Sequence, residues 1–139
     1  MKRNAVLTIT SVLTIVLTMV HLADDYSRGF SPGGLNNLPV APVLALWLYS
    51  ALMLVERRLG LVVILVMSLV ASGLPVLHMA GKSGITGGAT PASAGAFFFS
   101  WTLLALGAAS IFSVLASARG LRSLRREKQT MQGTPGPDA

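Results

Sequence analysis

A chain of 139 residues that is 53% hydrophobic and only 12% charged, with a mean hydropathy of +0.67, lies outside the range of soluble domains and reads as a membrane protein. The net charge of +6 does not point to nucleic acid, because nine of the eleven basic residues flank apolar segments on one side of the chain's alternating topology. The absence of cysteine excludes disulfides, iron–sulfur clusters, thiolate metal sites and thiol redox chemistry.

Four apolar segments, residues 5–22, 39–55, 59–80 and 94–118, are each long enough for a helix to cross a hydrocarbon core of about 30 Å. None has an acidic or basic residue in its interior. The first begins "MKRNAVLTITSVLTIVLTMV", the basic start and apolar middle of a secretory signal. No small-x-small cleavage site follows in "HLADD", so the segment is expected to stay as a span. Along it Ser11, Thr14, Thr18, His21 and Asp25 are spaced 3, 4, 3 and 4 residues apart, a single polar stripe on a helix that is expected to face protein. The loop that follows, "ADDYSRGFSPGGLNNL", is rich in turn formers.

The second segment opens with Pro39 and Pro42, which suit the first turn of a helix, and carries Trp47 near its middle as a packing residue. The connection "ERRLG" to the third segment is tight enough to make the two helices antiparallel neighbours. The third offers Ser68, Ser72 and Gly73 before Pro75, which is expected to loosen its outer end, and then His78. After "GKSGITGGATPAS", expected to be a flexible loop, the fourth segment begins with Phe97, Phe98, Phe99 and Trp101, placed as an interfacial aromatic belt. Further along, Ala105, Ala109, Ser113 and Ser117 recur every four residues, a small-residue face suited to close helix approach and to self-association or contact with other membrane subunits. The tail "RGLRSLRREK" reads as a short basic amphipathic helix at the lipid surface, and residues 129–139 as a disordered tail.

The expected fold is therefore an all-α membrane protein, one domain over residues 1–128, forming a four-transmembrane-helix antiparallel bundle. Lys2, Arg3, Arg57, Arg58 and the basic residues from Arg119 to Lys128 lie on one side, and only Arg28 and Lys82 on the other. By the positive-inside rule both termini are cytoplasmic, in a multi-pass protein of the cell (inner) membrane.

The two histidines carry the site hypothesis. His21 lies 18 residues above Arg3 and His78 lies 20 above Arg58, which at 1.5 Å per residue puts them nearly level, about 27 and 30 Å above the inner interface. Asp24 and Asp25 follow His21 by three and four residues and adjoin its face if the helix continues. Two imidazoles and one or two carboxylates without thiolate suit Zn²⁺, Fe²⁺, Mn²⁺ or Cu²⁺, with positions left for water or substrate. His21, Asp24, Asp25 and His78 are the candidate ligands, with Arg28 as an orienting or anion-binding group and Thr18 beside them. A second reading is a b-type haem held between His21 and His78. The third is a solvated helix end in which Asp24 or Asp25 pairs with Arg28 or Lys82.

Three functions follow: a membrane protein with an outward-facing His/Asp site for a metal ion, an accessory or assembly subunit of a larger membrane complex, and a small transporter. The last is disfavoured because no ionisable residue lies near mid-membrane.

Overall fold

The computed structural model describes residues 2–27, 39–80 and 94–132. These form four helices, α1 (Lys2–Ser27), α2 (Val40–Met53), α3 (Arg58–Ala80) and α4 (Ala94–Gln132), with no strand among the described residues. The outer loops, with Arg28 and Lys82, and residues 133–139 of the expected tail lie outside them.

The polar residues of α1 sit in a helix because their hydroxyls bond to its own backbone. Thr10 donates to the Val6 carbonyl (2.9 Å), Thr14 to Thr10 (2.7 Å) and Thr18 to Thr14 (2.8 Å), so no hydroxyl is left unsatisfied in apolar surroundings. The helix runs past Leu22, where the apolar segment ends, as the stripe through Asp25 requires. It continues one further turn and carries Asp24 and Asp25 with it, ending at Ser27, whose hydroxyl donates to the Asp24 carbonyl at 2.8 Å.

α2 is shorter than its apolar segment. Pro39 stands immediately before it and Pro42 in its first turn, where no backbone donor is needed. Its 14 residues span about 21 Å, short of the hydrocarbon thickness. The chain turns into α3 through Arg57 N–H to Leu54 carbonyl (2.9 Å) and Leu61 N–H to Arg57 carbonyl (3.0 Å). A side chain on Gly60 would collide with the Leu54 carbonyl oxygen, so only glycine permits this tight turn. α3 runs through Pro75 to Ala80, and the proline ring fits against Gly107 of α4, where an added Cβ would lie 3.0 Å from its Cγ.

α4 departs most from expectation. It runs unbroken for 39 residues, about 58 Å, past residue 118, through the basic segment and into residues 129–132, which are helical rather than disordered.

Three of the helices contain stretches long and apolar enough to cross a membrane, Ala5–Ser27, Arg58–His78 and Phe97–Thr130. They carry large apolar side chains outward as well as inward. Ile9, Met19, Val70, Leu77 and Phe112 are exposed, whereas Ile15, Ile64, Leu103 and Leu106 are buried, the pattern of helices that meet lipid on one side and protein on the other. Trp47 is buried in the core with Leu44, Ala51, Leu61 and Leu106, in keeping with its expected packing role.

Every member of the α1 stripe, Ser11, Thr14, Thr18, His21 and Asp25, is buried, so the stripe faces protein as expected. At its lower part, Ser113 of α4 joins two helices. Its hydroxyl shares a hydrogen bond with Ser11 of α1 (3.0 Å) and accepts one from Ser68 of α3 (2.8 Å). Of the small residues noted on α4, Ala109, Ser113 and Ser117 are buried within the chain and Ala105 is exposed. The face that packs inward follows Phe99, Leu103, Leu106, Ser110, Ser113 and Ser117 instead.

The order of these contacts fixes relative directions. Thr8 of α1 donates to the carbonyl of Ala51 near the end of α2 (3.2 Å), and Gly120 of α4 meets Leu61 at the start of α3. At the other end His21, His78 and Phe99 meet. α1 and α3 therefore run the same way, and α4 runs against both.

Candidate metal centre

His21 and Asp25 are four residues apart on α1, so the helix repeat alone puts them on one face a turn apart. His78 comes from the last turn of α3, carried level with His21. Asp25 Oδ2 lies 3.6 Å from His21 Nε2 and 3.4 Å from His78 Nε2. The two imidazoles meet edge to face, with ring centroids 4.7 Å apart and planes at 78°. One ligand atom from each of His21, Asp25 and His78 falls within 4.8 Å of the others.

Each group is held differently. The His78 Nδ1 lies 2.9 Å from the Leu74 carbonyl one turn back. A carbonyl only accepts, so Nδ1 carries the hydrogen and, in the neutral ring, Nε2 presents its lone pair to Asp25. This is the backbone support that metal-binding imidazoles commonly have. His21 is fully buried, and among the described residues both of its nitrogens lack a hydrogen-bond partner, as does Asp25 Oδ1. At 3.6 Å the His21–Asp25 approach is too long for a hydrogen bond.

The His78 Nε2 lone pair thus faces the Asp25 carboxylate with no hydrogen between them, beside the buried His21 ring, an arrangement that costs free energy unless a positive species joins them. A proton on His78 Nε2 would satisfy one pair and leave both His21 nitrogens without a partner. A metal cation would engage one atom of each of the three groups and leave the second His21 nitrogen as it is. With metal–nitrogen and metal–oxygen bonds of about 2.0–2.2 Å, the edge of a tetrahedron is about 3.4 Å; the two carboxylate–imidazole separations are 3.4 and 3.6 Å, and the three ligand atoms together spread over 4.8 Å, so the imidazoles would draw closer around an ion.

α4 supplies the wall. Phe99 packs on both rings, 5.3 Å from His21 and 5.7 Å from His78. It is buried, whereas Phe97, Phe98 and Trp101 around it are exposed. The sequence reading placed Phe99 with the interfacial aromatics; the signal that separates it is its register, at the head of the buried series that continues through Leu103, Leu106 and Ser110. The centre opens on the α3 side, where the His78 side chain is 26% exposed and that of His21 only 1%.

Among the other residues singled out, Asp24 is half-buried and does not belong to the converging group. The Thr18 hydroxyl is committed to the Thr14 carbonyl one turn below. Arg28 lies outside the described residues. A porphyrin ligated by both histidines would have to sit between rings that are already in contact and share the Phe99 wall, so this geometry does not suit haem.

The fold and the site define a class: an all-helical chain with three helices able to cross a membrane and a His/Asp cluster at one end of them. No protein-family model, curated protein or solved structure matches the chain.

Proposed function

We propose that this is a small multi-pass integral membrane protein that holds one divalent transition-metal ion between His21, Asp25 and His78. The observation that carries the reading is the convergence of two imidazole nitrogens on one carboxylate oxygen at 3.4 and 3.6 Å, with His21 buried and unpartnered. Two nitrogens and one oxygen without thiolate favour Zn²⁺, Fe²⁺, Mn²⁺ or Cu²⁺ over Cu⁺. Three protein ligands leave at least one position for water or a small ligand, entered from the exposed edge of His78.

The topology that accompanies this reading has four crossings, with both termini cytoplasmic and the metal at the outer face. Support comes from α1 and α3 running in the same direction, which obliges the chain to recross between them through α2. The distribution of basic residues supplies the orientation.

The deciding experiment is metal analysis of protein purified in mild detergent and dialysed against Zn²⁺, compared with a His21→Ala/His78→Ala variant. The expected result is about one equivalent in the wild type and none in the variant. Equal metal content in the two overturns the proposal.

A further inference from the structure

At the end of the molecule away from the histidines, the start of α3 and the second half of α4 enclose a groove of about 600 Å³, within the roughly 300–1,000 Å³ usual for small-ligand sites. Its inner part is apolar, lined by Val62, Leu65, Leu121 and Leu124. Its outer part is cationic, lined by Arg58, Arg122, Arg125 and Lys128. Glu56 and Glu127 also reach the rim, so four cations stand against two carboxylates and the rim is positive.

The polarity is graded along the groove. On α3, Arg58 lies four residues before Val62 and seven before Leu65, about 6 and 10 Å further out. On α4 Ala118 and Leu121 come first, and Arg122, Arg125 and Lys128 follow them outward with Leu124 between the two arginines. The whole lies where the apolar run of α4 gives way to its basic segment.

We propose that this groove binds one anionic phospholipid, its acyl chain along Val62, Leu65 and Leu121 and its phosphate held by Arg122 and Arg125 with Arg58. A free anion would use the rim and leave the apolar wall uncovered. A zwitterionic lipid would fill the wall and bring no net charge to the rim. Only an anionic amphiphile matches both halves of the groove, and basic pockets between membrane helices recognise such headgroups.

The test is native mass spectrometry of the detergent-purified full chain, titrated with phosphatidylglycerol or with phosphatidylcholine of the same acyl chains. One phosphatidylglycerol is expected to stay bound in preference to phosphatidylcholine. The preference is expected to fall about fivefold for each arginine removed in Arg122→Gln and Arg122→Gln/Arg125→Gln. An Ala118→Phe variant fills the inner groove without changing charge and is expected to lose both lipids. Equal retention of the two lipids by wild type, unchanged selectivity in the double arginine variant, or displacement of the lipid by equimolar inorganic phosphate each overturns the proposal. The arginines are exposed, so their variants are expected to fold, which unchanged circular dichroism checks.

Discussion

His21, Asp25 and His78 illustrate how one carboxylate can be selected from two adjacent ones. Asp24 and Asp25 differ by about 100° around α1, and only Asp25 turns to the side where α3 brings His78. Asp25→Asn is therefore expected to weaken Zn²⁺ binding by at least about 10-fold, since the amide keeps the shape and loses the charge. Asp24→Asn is expected to leave it unchanged. Equilibrium dialysis of the two variants separates a specific ligand from a general effect of negative charge. Protons compete with metal for imidazole nitrogen. Occupancy is thus expected to fall as the pH is lowered, a trend that dialysis across pH 5–8 checks. Phe99→Ala removes the wall common to both rings; it is expected to destabilise the protein by about 3 kcal/mol, measured by unfolding in detergent with added denaturant.

Among the elements, α1 was the most legible. A spacing of 3 and 4 residues is intrinsic to a helix, so the stripe from Ser11 to Asp25 could be read as one face, and that face is buried. The ends of α1 and α4 were less legible because hydropathy marks where lipid stops and not where a helix stops. In α4 the segment after residue 118 is rich in Arg, Leu, Lys, Glu, Gln and Met, strong helix formers that carry the helix on after the apolar run ends. On α4 the small-residue series and the buried face coincide at Ala109, Ser113 and Ser117 and part at Ala105, because small size marks a face that permits close approach, whereas burial depends on where α1 and α3 lie. The contact that ties these helices together is the serine bridge. Ser113→Ala removes hydrogen bonds to Ser11 and Ser68 at once; at about 0.6 kcal/mol for a typical bond between membrane helices, the expected loss is about 1 kcal/mol. A Ser68→Ala/Ser113→Ala double-mutant cycle measures the coupling. Gly60→Ala, which drives a methyl group into the Leu54 carbonyl, is expected to cost more, about 1–3 kcal/mol, in the same unfolding measurement.

For the molecule as a whole, the His/Asp cluster and the basic groove lie at opposite ends, so their sidedness can be tested directly. The chain has no cysteine, and single Ser27→Cys and Ser123→Cys variants place one thiol beside the site and one beside the groove. In right-side-out vesicles a membrane-impermeant maleimide is expected to label the first and not the second. Labelling of both, or of the second alone, contradicts the outward-facing site. Because the three ligands come from α1 and α3, metal is also expected to stabilise the fold: at a free concentration of 100 times Kd the gain is about 2.7 kcal/mol, seen as a lowered Tm on adding a chelator.

The sequence by itself determined the apolar character of the spans, the polar stripe of α1, the alternating placement of basic residues and the presence of two histidines at matching heights. These are properties of composition, of helical period and of distance along a helix, all of which are local. Only the tertiary structure decided that His78 faces the stripe, that Asp25 and not Asp24 joins it, that Phe99 closes it and that α3 and α4 leave a groove at the basic end. Those outcomes depend on the rotation of each helix about its own axis and on how α3 and α4 pack against α1, set by close contacts such as Gly107 against Pro75 and Ser113 between Ser11 and Ser68. Such contacts join residues 32 to 102 positions apart, beyond the reach of any periodicity within one helix.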